Sequence, residues 1–245
     1  MKVLVFATRN YKEIVRDKLN IAFGLGFPII LLLMMTAIQS KVPIPIFELE
    51  SLTPGVAVFG LSFISLFTGM LIAKDRTSSL MLRLFTSPLT SSHFIFGYTL
   101  PVLPLAIIQI AICFVVAIFL GLKVSFNITL TIITMIPTAL LFIALGLLCG
   151  SVFTDKQVGG ICGALLTNLT GWLSGTWFDL SLIGGAFQKI AYLLPFYHAV
   201  EIGRVTMIRN YSEILPHMIW IIGYDVVIIT IAIVAFTKKR QANSV

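Results

Sequence analysis

Residues 53–73 read TPGVAVFGLSFISLFTGMLIA, and this stretch contains no charged side chain. An α-helix needs about 20 consecutive apolar residues to cross the roughly 30 Å hydrocarbon core of a bilayer. The stretch is therefore predicted to be a membrane-spanning helix. The rest of the chain shares this character, since 58% of its 245 residues are hydrophobic.

Similar apolar runs recur along the whole chain. The six predicted spans cover residues 21–39, 53–73, 94–120, 128–150, 158–176 and 218–236. The segments between them are too short to bury a separate hydrophobic core, so residues 1–245 are predicted to form a single transmembrane domain. The expected fold class is an all-α membrane protein with six transmembrane helices.

Positive charges indicate how these spans are oriented. Most of the 17 Lys and Arg residues fall in segments that share one side of a six-span protein, at residues 2–18, 74–83, 156 and 238–240. Because Lys and Arg accumulate on the cytoplasmic side of short loops, both termini are predicted to be cytoplasmic. This topology accounts for the net charge of +7. A nucleic acid partner is not expected, since aromatic and basic residues are not interleaved.

Residues 1–20 are predicted to lie along the inner membrane surface as an amphipathic interfacial helix. Apolar residues recur there at three- and four-residue steps, whereas Arg9, Lys12 and Arg16 occupy the opposite side. Such a basic face is attracted by anionic membrane lipid. The alternative is a simple positively charged anchor for the first span. The functional interpretation makes Arg9 and Arg16 part of a docking surface.

The longest predicted cytoplasmic loop, residues 74–93, is rich in Leu, Met and Phe for a solvated linker. Ser and Thr residues ahead of its apolar patch can cap a short helix, and a proline would end that helix or start the next one. We expect a short helix that contacts another protein or the headgroup layer. The residues predicted to do so are Leu82, Arg83, Leu84, Phe85 and Pro88.

The longest segment on the opposite side, residues 177–217, is too polar for a further span yet carries apolar stretches. Gly and Pro residues interrupt it, so it is predicted to form short re-entrant helices between spans five and six. His198, Glu201 and Arg204 recur at three-residue steps and share one side of a helix. With Pro195 they are expected to form an external helix or gate, and the alternative is an ion-pair stripe that only holds this helix in place.

Asp225 lies near the middle of the sixth predicted span. An Asp at the centre of a transmembrane helix costs about 2.5–3.5 kcal/mol on insertion scales, and no Lys or Arg lies within a predicted span to pair with it. Asp225 is therefore either a coupling or substrate-contacting carboxylate, or a protonated or hydrogen-bonded structural residue that faces the bundle. A proton-coupled secondary transporter or channel subunit that uses Asp225 is the alternative function of the chain.

Sequence patterns for catalysis are missing. None of the 3 His residues lies in an H-E-x-x-H pattern, and no G-x-S-x-G turn is present. The 3 Cys residues lie within predicted spans and form no C-x-x-C pair, which favours packing thiols over a metal site or disulfide. No G-x-x-x-x-G-K-[ST] loop is present to hold a nucleotide phosphate. We therefore expect neither enzyme activity nor a cofactor or metal on this chain.

The order of these features resembles the type-2 permeases of ATP-binding cassette exporters. The resemblance rests on RLFTSPLT at residues 83–90 and on LLPFYHAVEIGR at residues 193–204, in their positions relative to the six spans. The second stretch contains the family's spaced Pro195, His198, Glu201 and Arg204. Residues 175–179 depart from the family, because they lack the proline that is common in its short external dip.

The resemblance implies half of a translocation path for an amphiphilic or apolar substrate. Two permeases, either identical or sisters, would pair, and separate ATPase subunits carrying ATP and Mg would dock at residues 79–92 and at the first helix. Spans two and five would line the path, with Asn168 in the latter. The resemblance implies an exporter of the plasma membrane, and the compact, loop-poor design favours a bacterial one.

Overall fold

The fold of the chain is all-helical in the computed structural model. Helices account for 86% of the structure, and no strand occurs within the described residues. The structure describes residues 2–43, 47–77 and 90–242. The predicted coupling residues Leu82, Arg83, Leu84, Phe85 and Pro88 lie outside these ranges. The all-α fold class predicted from the sequence is confirmed.

The helices follow one another with short connections. The first four are α1 (Lys2–Arg16), α2 (Lys18–Gln39), α3 (Leu49–Arg76) and α4 (Ser91–Phe119). Next come α5 (Phe126–Thr134), α6 (Ile136–Val152), α7 (Asp155–Gly160), a π-helical segment (Ile161–Leu166) and α8 (Thr167–Leu173). The last are α9 (Gly185–Leu193), α10 (Pro195–Met207) and α11 (Ile214–Ala242), with short 3₁₀ helices at Leu180–Leu182 and Tyr211–Glu213.

Within the described residues, five helical segments are long and apolar enough to cross a membrane. They are Lys18–Gln39, Leu49–Arg76, Ser92–Phe119, Phe126–Val152 and Tyr211–Lys238. These segments correspond to predicted spans one to four and six. The fifth predicted span is divided among α7, the π-helical segment and α8. The count of six spans therefore stays a prediction, as does entry of α9 and α10 into the bilayer.

The helix that forms the fifth predicted span continues without a break from Asp155 to Leu173, and its widening has a local cause. Gly159, Gly160 and Gly163 weaken the helix there, because glycine has the greatest backbone freedom of any residue. A π-helical segment widens the turn. The Thr167 hydroxyl donates to the carbonyl of Cys162 at 3.0 Å. This bond satisfies a backbone acceptor that water cannot reach in a bilayer.

Helix α3 is the centre of the bundle and packs most closely against α6. A Cβ atom added at Gly146 would meet the carbonyl of Ser65, and one added at Gly150 would meet the carbonyl of Gly69. Small residues at such a contact let two backbones approach in lipid. Arg76, at the end of α3, donates to the Gly150 carbonyl at 2.6 Å. This bond holds the end of α6 to the end of α3.

Aromatic contacts bring α1 and the last turns of α11 to the same end of the bundle. Phe94, near the start of α4, has its ring centroid 5.4 Å from Phe6 of α1 and 5.3 Å from Phe236 of α11. This is the end predicted to be cytoplasmic. On the other side of α1, Leu4 and Tyr11 are exposed, as expected for an amphipathic helix against a membrane surface.

Candidate functional site

Arg9 lies where α1, α3 and α4 meet. Its guanidinium forms a two-point ion pair with Asp75, in which Nη1 donates to Oδ2 and Nη2 donates to Oδ1, the latter at 2.8 Å. The Tyr98 hydroxyl donates to Oδ2 of the same carboxylate at 2.8 Å. Asp75 is 5% exposed and Tyr98 is fully buried, so these bonds form largely away from water. They attach α1 to both α3 and α4.

Asn10 makes a second buried connection beside this ion pair. Its amide nitrogen donates to the Gly97 carbonyl at 3.0 Å, and its amide oxygen accepts from Nη1 of Arg9 at 2.9 Å. Phe6 packs edge-on against Tyr98, with 5.0 Å between the ring centroids. We call the set Phe6, Arg9, Asn10, Asp75 and Tyr98 the α1 junction.

In the α1 junction, the guanidinium of Arg9 is bonded to Asp75 of the same chain, so Arg9 is not a free docking residue. Burial disfavours the charged guanidinium, but its hydrogen bonds to Asp75 and the charge of that carboxylate raise the pKa of Arg9. Arg9 therefore stays charged and engaged inside the chain. Arg16, the other predicted coupling residue of α1, is exposed and lines a cavity between α1, α2, α3 and α4. A contact of either residue with an ATPase stays a prediction.

Arg204 connects α10 to the opposite end of α3. Its Nε donates to the Ser51 carbonyl at 3.2 Å, and its Nη2 donates to the Gly175 carbonyl at 2.8 Å. Its Nη1 forms an ion pair with Glu201 at 3.0 Å. Gly175 has a φ of +72°, a conformation that residues with a Cβ rarely adopt. The arginine thus stabilises the turn after α8 as well as α10 itself.

Pro195 and His198 occupy the first turns of α10. Pro195 is the first residue of the helix, where its fixed φ suits the helix and its missing N–H is not needed. His198 does not join the Glu201 and Arg204 pair, because its ring packs towards α11. It stacks on Trp220 with 4.9 Å between ring centroids and an interplanar angle of 7°.

His198 also forms a histidine pair with His217. Its Nε2 lies 3.0 Å from the Tyr192 carbonyl, which can only accept, so Nε2 carries a proton. Its Nδ1 lies 2.7 Å from Nδ1 of His217, so His217 donates this bond when both rings are neutral. Burial lowers the pKa of His198, as does the charge of His217, while the Tyr192 bond opposes the shift. This pair was not predicted, since its members lie on different helices.

A partly exposed apolar face runs along α3 beside α8. Its rings are Phe59 and Phe63 of α3, with Phe27 of α2 5.1 Å from Phe63 and Trp177 5.4 Å from Phe59. Asn168 is exposed on α8, and its amide nitrogen donates to the Ala164 carbonyl at 2.8 Å. We call these residues the α3/α8 face. It combines aromatic rings with one amide, a surface suited to apolar or amphiphilic molecules.

Asp225 lies elsewhere in the bundle. It is 7% exposed on α11, which packs mainly against α6 and α10 rather than α8. Its Oδ1 atom has no hydrogen-bond partner among the described residues. The structure therefore places the two predicted path residues, Asn168 and Asp225, on separate helix pairs. Roles in a substrate path stay predictions for both.

A helical bundle with several span-length apolar segments and an N-terminal helix attached at one end defines a multi-pass membrane protein. The model of the ABC-2 type transporter family matches residues 1–208, and the chain belongs to this family. This membership identifies the chain as the membrane domain of an ABC-2 type transporter.

Among curated proteins, the chain is similar to ABC transporter G family member 20 of Dictyostelium discoideum. The two are 24% identical over 201 residues, which cover 79% of this chain and 27% of the relative. The chain thus spans about a quarter of the length of that relative. No solved structure matches the chain.

Proposed function

We propose that this permease forms half of the translocation path of an exporter, driven by ATP hydrolysis on a separate subunit. The observation that carries the proposal is the α1 junction. Arg9 of α1 is bonded to Asp75 of α3, and Asn10 of α1 is bonded to Gly97 of α4. The sequence that connects α3 to α4 contains the predicted ATPase contact. A force applied there would therefore move α1, α3 and α4 together, as rigid-body rocking requires.

The α3/α8 face supports the choice of an apolar or amphiphilic substrate. Phe59 and Phe63 are only partly covered by this chain, and a second permease opposite them would enclose a path. The partner permease would be a second copy or a sister chain. The glutamate–arginine pair on α10, next to Gly175, would then lie at the outer mouth and serve as an external gate. Both termini would lie in the cytoplasm, and the compact, loop-poor design of the chain favours a bacterial plasma membrane.

Gentle purification from the native membrane followed by mass spectrometry tests the proposal. We expect a P-loop ATPase to co-purify with the chain in equal amount. The variant Arg83→Glu should abolish this co-purification while the chain still inserts in the membrane, because it reverses a charge in the predicted contact. Lys156→Glu is the matched control, since it reverses a charge in another predicted cytoplasmic segment. Unchanged recovery of the ATPase with Arg83→Glu would contradict the assigned docking surface.

One observation favours a second candidate function. Oδ1 of buried Asp225 has no hydrogen-bond partner in the part of the chain that the structure describes, which suits a carboxylate that takes up and releases a proton in a secondary transporter or channel subunit. Such a protein would work in liposomes without any ATPase. Transport by the purified chain alone, lost in Asp225→Asn, would support this function over the exporter. ATP-dependent transport that persists in Asp225→Asn would exclude it.

A further inference from the structure

The turn between α9 and α10 is attached to α11 by two side-chain contacts. The first is the histidine pair, in which Nδ1 of His198 lies 2.7 Å from Nδ1 of His217 on α11. The second is a hydrogen bond of 2.7 Å from the Tyr224 hydroxyl of α11 to the Leu193 carbonyl, at the end of α9. His198 also donates to the Tyr192 carbonyl at 3.0 Å. The histidine pair therefore connects α11 to both α9 and α10.

The space between the two imidazole rings holds one proton. With both rings neutral, Nε2 of His198 carries the proton that bonds the Tyr192 carbonyl, so Nδ1 of His217 donates to the lone pair on Nδ1 of His198. When His217 takes up a first proton on Nε2, this bond stays in place. A second proton has to occupy Nδ1 of His198, where it meets the N–H of His217. The doubly charged pair thus has no acceptor left, and two like charges face each other.

Charged groups around the pair favour the first of these protons. The negative charges of Glu201 on α10 and Glu213 just before α11 act on His217, and Glu201 is itself paired with Arg204 at 3.0 Å. Lys189 of α9 is exposed to solvent. The other titratable side chains that pack around the pair are the phenols of Tyr192, Tyr197 and Tyr224. Phenols are neutral between about pH 5 and pH 8, so the histidines are the groups of this cluster that titrate in that range.

The second proton binds less readily than the first. Burial lowers the pKa of His198, and the charge of His217 lowers it as well. His198 is 7% exposed and stacks on Trp220, so water can hardly solvate a new charge on its ring. An unperturbed histidine titrates near pH 6.5. The doubly charged pair therefore forms only below that pH.

We propose that the histidine pair is a pH-sensitive contact that releases the α9–α10 turn from α11 when both rings are protonated. The bond from Tyr224 to the Leu193 carbonyl does not involve the pair and limits how far the turn moves. Arg204, further along α10, stays bonded to the Ser51 and Gly175 carbonyls. Acid therefore changes the angle between α10 and α11 and does not detach α10. This contact belongs to the folded chain itself and is separate from coupling to an ATPase.

Double electron–electron resonance on the detergent-purified full chain tests the proposal. Nitroxide labels are placed at Lys189→Cys on α9 and Ile231→Cys on α11, two exposed positions, in a background with Cys113, Cys149 and Cys162 changed to Ser. We expect a narrow distance distribution at about pH 7.5 and a broader one, shifted to longer distances, at about pH 5. The same distribution at both pH values would overturn the proposal.

The variant His217→Gln identifies the group that causes the shift. A glutamine amide can donate to Nδ1 of His198 when that ring is neutral and can accept from it when the ring is protonated. The contact should therefore persist at both pH values, and the shift should be lost. His93→Gln is the matched control and should keep the shift, because His93 is exposed at the start of α4, at the other end of the bundle. An equal shift in His217→Gln and the wild type would contradict a role of the pair.

A further variant keeps both histidines and their packing. Glu213→Gln removes an exposed negative charge that acts on His217, so the midpoint of the shift should move to lower pH by about 0.2–0.7 pH unit, the equivalent of an exposed ion pair. Asp225→Asn, at a buried carboxylate further along α11, should leave the midpoint unchanged. Either an unmoved midpoint in Glu213→Gln or a moved one in Asp225→Asn would contradict titration of the histidine pair.

Discussion

Asp75 is the residue on which α1, α3 and α4 converge, because its carboxylate accepts from both Arg9 and Tyr98. A buried ion pair is costly to break from one side, since the remaining charge loses its partner without regaining water. The side chain of Arg9 is 32% exposed, so water can partly solvate its charge and the free-energy cost of breaking the pair is smaller. The junction is therefore expected to tolerate weakening better than a fully buried pair would.

We expect Asp75→Asn to lower the stability of the chain by about 1–3 kcal/mol, because Arg9 and Tyr98 lose a charged acceptor. Thermal unfolding of the detergent-purified protein measures this change. In reconstituted membranes with the ATPase, the same variant should retain ATP hydrolysis and lose coupled transport. Asp155→Asn, at an exposed carboxylate of the same end, is the control and should behave like the wild type. Full transport by Asp75→Asn would contradict the role of the α1 junction in coupling.

Because His198 is buried, we expect the stability of the chain to depend on pH at the end of the bundle opposite the α1 junction. Burial lowers the pKa of His198, so the folded chain binds this proton less readily than the unfolded chain, in which the pKa is about 6.5. The stability contributed by the neutral ring is therefore complete above about pH 6.5 and is lost as the pH falls through the lowered pKa. The unfolding temperature should decrease between about pH 6.5 and pH 5.

The variant His198→Gln isolates this effect, since glutamine can still donate to the Tyr192 carbonyl but does not titrate. Its unfolding temperature should depend less on pH than that of the wild type over the same range. Gln188→Ala, a change at a partly exposed residue of α9 that bonds the Tyr192 side chain, is the control. An unchanged pH dependence in His198→Gln would show that other groups dominate.

At the scale of elements, the contact of α3 with α6 depends on glycines. A side chain at Gly150 would meet the backbone of Gly69, so the two helices would have to separate. We expect Gly150→Leu to destabilise the bundle by about 1–3 kcal/mol through overpacking. Gly223→Leu is the matched control, because a Cβ atom there has nothing within 4 Å. Thermal unfolding of both variants in the same detergent compares them, and equal values would argue against a tight α3 and α6 contact.

At the scale of the whole molecule, the proposed pairing of two permeases places the α3/α8 face towards a partner. A cysteine at position 168 should therefore be cross-linked between two chains by a short thiol reagent, in a background with Cys113, Cys149 and Cys162 changed to Ser. Val226→Cys is the control, because Val226 is exposed on α11 on a different side of the bundle. Cross-linking at Val226→Cys but not at Asn168→Cys would contradict the proposed interface for a homodimer.

The sequence predicted most of the helices correctly because a single physical requirement, hydrogen bonding of the backbone inside a bilayer, decides them. Continuous apolar runs have to be helices in a bilayer, so five spans, the interfacial helix and the family resemblance could be read from the chain. The run at residues 158–176 is helical without a break as far as Leu173, but a π-helical segment and the Thr167 to Cys162 bond widen it. Such local widening depends on which carbonyls find donors, and hydropathy carries no information about that.

The sequence by itself determined the all-α class of protein and indicated its family, because the length of an apolar run is a local property of the chain. Only the tertiary structure decided the partners of its polar residues. It joined Arg9 to Asp75 and His198 to His217, and it separated Asn168 from Asp225. The physical reason is that buried polar groups must find partners wherever helix packing brings them together, and that packing depends on side-chain shape along the whole bundle.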